Sequence, residues 1–337
     1  MSNITSFSVN SMRFPSDKTV IYCVGAQKGG TTWLGDYVAG HPQCYLPPMK
    51  ECHFFDTRYG FDMQARKVAI NNMKRHLTSM LGTDNFRFGE KLLELQAAVQ
   101  RAELFAPDDR GLAAYLRLLT ARAGAATHLC DFTPSYATCD RTVFGFMDSL
   151  ADNARFVFIM RDPIDRLWSQ ARMASKNILN RNDGADFEKA AHRALKHYLG
   201  NYQAATLPRS NYMRTIAELE AAVPRDRIQY LFYETLFTDD AVRKFCDFAG
   251  IDFVPADFGH RSNEGTGLDM PGSVRKLLGE GLQVQYDFIR DRFGSEVPAA
   301  WQDPAGAARG TEAAPEGAAR EDTMSGGNPA RSEGGRA

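Results

Sequence analysis

With 337 residues, 44% of them hydrophobic, and a net charge of −1, the chain can bury one large core or two small ones, and it offers no general electrostatic attraction for nucleic acid or an anionic membrane. No stretch reaches the roughly 20 apolar residues that a membrane-spanning helix needs, and the N-terminus lacks a basic region followed by an apolar one. The six cysteines (Cys23, Cys44, Cys52, Cys130, Cys139 and Cys246) contain no C-x-x-C pair and several lie in apolar runs, so free thiols in a reducing cytoplasm are expected.

Residues 1–18 read as a polar lead-in and 19–300 as a single domain. The first apolar run predicts a strand over 19–24, which passes through Gly25-Ala26-Gln27-Lys28-Gly29-Gly30 into a helix over 31–40. That helix opens on Thr31-Thr32 and stops at Gly40-His41-Pro42. A strand, a tight glycine loop and a helix N-terminus leave backbone N–H groups aimed at one spot, which suits an anion of phosphate size. Gly25 and Gly30 have the separation of a Walker A loop, G-x-x-x-x-G-K-[ST]. Thr31 stands where that motif has lysine, and the lysine falls inside the loop at Lys28. The bland alternative is a strand–helix turn that merely uses glycine.

Segment 41–56 reads as a loop containing Pro47-Pro48 and then an extended, aromatic-rich piece, Lys50-Glu51-Cys52-His53-Phe54-Phe55-Asp56. In an extended segment Glu51 and His53 share a face, with Cys52 and Phe54 on the other. A carboxylate or imidazole beside the glycine loop can take a proton from an acceptor hydroxyl or amine. A solvated glutamate and a hydrogen-bonded, half-buried histidine would leave the same sequence. The region 60–125 is expected to be mostly helical, and a second strand over 127–132 ends in the turn-like Asp131-Phe132-Thr133-Pro134-Ser135-Tyr136.

The clearest buried strand is expected at 155–160, a continuous apolar run ending in Arg161-Asp162-Pro163. Asp162 is the expected N-cap of the next helix and Pro163 its first residue, with Ile164, Leu167, Trp168 and Ala171 along one face. A P-loop kinase or GTPase would place a magnesium-binding aspartate at such a strand end. Here Arg161 occupies it, with Ser169 eight residues on, and a guanidinium plus a hydroxyl suits a phosphate monoester. A surface salt bridge at Arg161 and a solvated Ser169 are the structural alternative. Helices are expected over 186–199, 210–222 and 239–249, the last closing at Gly250. Between them a strand over 227–233 leads into Tyr233-Glu234-Thr235-Leu236, read as a structural junction. From about 301 to 337 the composition turns to Ala, Gly, Pro, Arg and Glu, which predicts a disordered low-complexity tail. The alternation predicts an α/β fold, a central parallel sheet covered by helices on both faces.

The segments Val24–Leu34, Lys50–Asp56, Thr133–Tyr136, Phe156–Ser169 and Tyr230–Leu236 occur in the order seen in the PAPS-dependent sulfotransferase family. The chain resembles most the branch containing heparan sulfate sulfotransferases and their bacterial relatives, over roughly residues 18–290, with a P-loop-like fold. The resemblance implies that Lys28, Gly29, Gly30, Thr31 and Thr32 hold the 5′-phosphosulfate of PAPS. It further implies that Arg161 and Ser169 bind its 3′-phosphate, that Trp33 touches the adenine, and that Glu51 is the catalytic base. His53 would orient Glu51 or the acceptor, or be the base itself. Asp131-Phe132 departs from the Glu-Lys of the heparan-type branch, and His260-Arg261-Ser262-Asn263-Glu264-Gly265 stands where a more basic cofactor loop is common. The expected reaction moves a sulfuryl group from PAPS to a hydroxyl or amine of a carbohydrate-like or small-molecule acceptor, giving PAP, with no metal. A P-loop nucleoside or small-molecule kinase, and a non-catalytic nucleotide-binding protein of the same fold, are the rival readings.

Overall fold

The strand β1 (Thr19–Gly25) is apolar almost throughout, and every residue after Thr19 is buried. Its side chains alternate between two cores: Val20, Tyr22 and Val24 belong to the larger, Ile21 and Cys23 to the smaller. A strand buried on both faces must sit inside a sheet with helices on either side, and β1 does. The computed structural model describes residues 12–49, 51–81, 88–180, 183–200, 208–259 and 268–302. Residues 1–11 of the lead-in, the 260–267 loop and residues 303–337 of the expected tail lie outside them, as does Lys50.

After β1 come α1 (Thr31–Ala39), the two-residue β2 (Cys44–Tyr45), the short α2 (Phe54–Arg58), α3 (Gln64–Leu81), α4 (Phe88–Glu103), α5 (Asp109–Thr120) and β3 (His128–Phe132). The second half contains α6 (Arg141–Ser149), β4 (Asn153–Met160), α7 (Pro163–Leu179), α8 (Gly184–Gly200), α9 (Tyr212–Glu220), β5 (Ile228–Phe232), α10 (Asp239–Ala249) and α11 (Gly272–Phe293). Among the described residues the strands form one sheet in the order β2-β3-β1-β4-β5. Every pairing is parallel, with Thr19 level with His128 on one side and Asn153 on the other. All carboxyl ends therefore open on one edge, with β1 at the centre, where ligand sites of open α/β sheets form. The register between β1 and β4 slips after Cys23, just where the strand hands over to the glycine loop.

The α/β architecture read from the sequence is the observed one, and most of its boundaries fall within a residue or two. Asp162 caps α7 as expected, its carboxylate accepting from the N–H groups of Ile164 and Asp165 at 3.0 Å each. One local expectation fails. The segment after Glu51 is not an extended piece; His53 takes a left-handed φ of 52° and starts α2. The reason is that Phe54 and Phe55 are both fully buried. Phe54 stacks on Tyr115 at 4.5 Å, and Phe55 meets the edges or faces of Tyr115 and Tyr136. A strand would send successive side chains to opposite faces, whereas a helical turn lets both enter one core. The sequence reading had no expectation for α6 or α11. Trp301, placed at the first residue of the expected tail, is fully buried against Tyr212, Phe232 and Tyr286. Among the described residues no helix is long and apolar enough to cross a membrane.

Candidate active site

The glycine loop is shaped by contact with the end of β4. Ala26 N–H donates to the Ile159 carbonyl at 2.7 Å, and Gly29 N–H turns back to the Ala26 carbonyl at 2.9 Å. A Cβ on Gly29 would lie 2.7 Å from the Ile159 oxygen, so the close approach excludes a side chain. Gly30 has a φ of 93°, and a Cβ there would strike the Tyr233 ring. No side chain caps α1, whose N-cap is Gly30. The first-turn N–H groups of a helix have no partner within it, so this terminus presents donors to an anion. Gly29 spends its own N–H inside the loop, so it shapes the cradle without adding a donor. Lys28 shares the left-handed conformation, with a φ of 71°.

Arg161 follows β4 directly. Its guanidinium lies over the Tyr233 ring at 4.5 Å and donates to the Lys28 carbonyl at 3.4 Å. The glycine loop and the β4 strand end thus meet at the carboxyl ends of β1 and β4. The peptide after Arg161 is pinned by Glu234, whose Oε1 accepts from Asp162 N–H at 2.8 Å, and the Tyr212 hydroxyl donates to the Arg161 carbonyl at 2.7 Å. Tyr233-Glu234, read from sequence as a mere junction, is what sets Arg161 against the loop. Ser169 is half-buried on α7. Three residues further along that helix is Arg172, held below its ordinary pKa by burial and by the charge of Arg161. Cations crowded in this way favour an anion between them.

On the other side of the loop, His53 Nδ1 is 2.7 Å from Asp56 Oδ2 and its Nε2 is 3.0 Å from Glu51 Oε2. Burial disfavours the charged imidazole, but the hydrogen bonds and charges of Asp56 and Glu51 outweigh it and push its pKa up to about 10. Asp56 itself is raised by burial, against the pull of His53. Side-chain exposure falls from 36% at Glu51 to 16% at His53 and zero at Asp56, so Glu51 is the solvent-facing end of the series. Neighbouring Asp62 pairs with Arg209, which also donates to the Gln27 side chain at 3.1 Å. Arg209 therefore bridges the glycine loop and the carboxylate side. Buried Arg166 supports the loop from below, donating to the Gln27 carbonyl at 3.3 Å. His53, Asp56 and Asp62 offer ligand atoms within 4.8 Å of one another, although Asp56 already holds the imidazole and Asp62 the guanidinium.

The structure brings Lys28, Gly29, Gly30, Thr31, Thr32 and Arg161 to one sheet edge, and joins Glu51 to His53. Trp33 fits its expected place less well. It is 6% exposed, and Tyr37 and Phe258 lie nearly parallel to its ring at 6.4 and 5.9 Å, so other protein rings occupy its surroundings. Sequence reading passed over Asp56, Asp62, Arg166 and Arg209. Asp56 had a signal: it lies three residues after His53, the spacing that pairs side chains on a helix.

Strand order, uncapped helix and flanking cations define an α/β protein whose sheet edge gathers backbone donors and cations, with a partly exposed carboxylate at Glu51. More closely, a profile described as the sulfotransferase family matches residues 21–255, and the chain belongs to that family. Its fold is similar to that of a sulfotransferase from Alicyclobacillus acidocaldarius, 19% identical, with 84% of this chain and 98% of that one covered at a TM-score of 0.54. The sulfotransferase domain of the Synechococcus PCC 7002 olefin synthase is 22% identical, covering 72% of this chain and 76% of its own at a TM-score of 0.40. A sulfotransferase from Mycobacterium avium is 14% identical, covering 83% and 78% at 0.42. No curated protein sequence matches the chain.

Two outcomes follow from the charges. The His53 imidazole should remain protonated through neutral pH and titrate near pH 10 when its Cε1–H is followed by NMR; a midpoint near 6.5 would show the two carboxylates do not hold it. Glu234 is the opposite case, because burial lifts its carboxyl from the ordinary 4.5 to about 7. A carboxyl whose folded pKa is raised favours the folded state below 4.5, and that advantage drains away as pH rises through 7. Glu234→Gln retains an acceptor for Asp162 N–H without ionising. Its unfolding free energy, measured in denaturant, should gain roughly 3 kcal/mol on the parent between pH 4.5 and above 7. A difference that is flat with pH would rule out this titration.

Proposed function

We propose that the chain, as one domain over 19–300, transfers a sulfuryl group from PAPS to a hydroxyl or amine of a carbohydrate-like or small-molecule acceptor and releases PAP. The observation that carries this reading is the 3.4 Å contact between Arg161 and the Lys28 backbone, which joins the loop suited to a phosphosulfate to the strand end suited to a second phosphate. The uncapped α1 terminus and the cradle that a Gly29 side chain would fill both fit such a donor. Lys28 and the first-turn N–H groups of α1, those of Thr31 and Thr32 among them, hold the 5′-phosphosulfate, while Arg161 and Ser169 hold the 3′-phosphate.

Chemistry of this kind asks the protein mainly to align groups and neutralise charge. Glu51 takes the acceptor proton as the acceptor oxygen or nitrogen bonds to sulfur. Lys28 balances the charge that appears on the phosphate oxygen as its bond to sulfur breaks. His53 is an imidazolium clamped by Asp56, so it orients Glu51 and does not itself accept the proton. A kinase reading lacks support at the strand end, where Arg161 stands in place of an acidic metal ligand. The buried thiols Cys23, Cys52, Cys130 and Cys139 support a reducing, cytoplasmic setting.

Incubation with sulfur-labelled PAPS and a mixed acceptor extract should yield a labelled product, whereas γ-labelled ATP should yield none; the reverse result would make the chain a kinase. Lys28→Ala and Glu51→Gln should each lower turnover about 100-fold or more. Arg161→Ala should weaken PAP binding by roughly 10- to 100-fold in calorimetry. Full activity in Glu51→Gln would remove Glu51 as the base.

A further inference from the structure

We propose that Asp131 is a positioning residue for the Glu51–His53 unit, acting through the hydroxyls of Thr133 and Tyr136 on the two backbone N–H groups that flank His53. The inference rests on the reading of Glu51 as the acceptor's base. Asp131 is fully buried near the end of β3 and accepts three hydroxyl protons: from Thr133 at 2.6 Å, Tyr115 at 2.8 Å and Tyr136 at 2.9 Å. The same Thr133 oxygen accepts from Cys52 N–H at 3.0 Å, and the same Tyr136 oxygen from Phe54 N–H at 3.2 Å.

The direction of these bonds is what matters. A hydroxyl has one proton and can point it anywhere; burial raises the pKa of Asp131 against the pull of these hydroxyl hydrogen bonds, and in its ionised form the carboxylate only accepts. With their protons spent on Asp131, Thr133 and Tyr136 must turn lone pairs outward, and the amides on either side of His53 meet acceptors. Between those anchors His53 holds a φ of 52°, a conformation that a non-glycine residue keeps only where its surroundings impose it. That conformation is the one in which the ring reaches Asp56 with one nitrogen and Glu51 with the other. Asparagine at 131 is nearly the same shape, but its NH2 group only donates. According to which way the amide faces, either Thr133 or both tyrosines would then have to reverse, and a reversal at Thr133 or Tyr136 would set proton against proton at the Cys52 or Phe54 amide.

The experiment follows His53 directly, in the full chain, by the pH titration of its Cε1–H signal in Thr133→Val, Tyr136→Phe and Asp131→Asn. PAP binding measured by calorimetry serves as the check on folding and on the donor side. The expected result is PAP affinity within about twofold of the parent, with the His53 midpoint lowered by about one pH unit or more, a tenfold loss of proton affinity. If Asp131→Asn does not fold, the two hydroxyl variants carry the test alone. Parent-like His53 titration in both of them overturns the proposal. A shifted His53 together with full turnover in Glu51→Gln upholds the positioning and removes instead the assignment of Glu51 as base.

Discussion

The glycine loop presses so closely on the end of β4 that Gly29 cannot carry a side chain, its missing Cβ being only 2.7 Å from the Ile159 carbonyl. Much of the site depends on that approach. It brings the Lys28 carbonyl within reach of Arg161, and it places the start of α1 at the sheet edge with its first N–H groups uncapped. β1 is central, flanked in parallel by β3 and β4, and each neighbour delivers one half of the site. From β4 come Arg161 and α7; from β3 come the hydroxyls that anchor the Glu51–His53 segment.

Local charge divides the site in two. Around Arg161 and Arg172 cations are packed near one another, while on the far side a histidine is held between two carboxylates. Arg209 spans the boundary, touching Gln27 of the loop and Asp62 beyond the histidine. The cationic half and the carboxylate half are thereby kept apart yet linked, an arrangement suited to group transfer.

How much of this could be read from the residues depended on the range of the forces involved. Strand β4 and the cap at Asp162 were legible because apolar runs and capping residues act over a few positions. Lys28 and Arg161 were legible as displaced members of known loop patterns, though nothing local said that they touch. The helix at Phe54–Arg58 was not, because it exists to send two adjacent phenylalanines into a core built by Tyr115 and Tyr136, 57 or more positions away. Asp131 looked like a strand-end residue that departs from a family pattern; its three hydroxyl donors come from partners that only the fold assembles. Phe132, beside it, is buried in the smaller core with Leu34, so no cation stands at that point.

The order of the parts along the chain has a bearing on how such a protein diversifies. Everything proposed for the donor lies in the turn after β1 and the turn after β4, or on the helices α1 and α7 that follow those turns. Glu51, His53 and Asp56, with the long α3–α4 excursion, are carried in the connection from β2 to β3. That excursion is largely solvent-facing, with Leu77, Phe88 and Leu93 left exposed. Lengthening it, shortening it or exchanging its side chains leaves the turns after β1 and β4 untouched, so under the proposed function the acceptor side can change by descent while the donor side stays fixed.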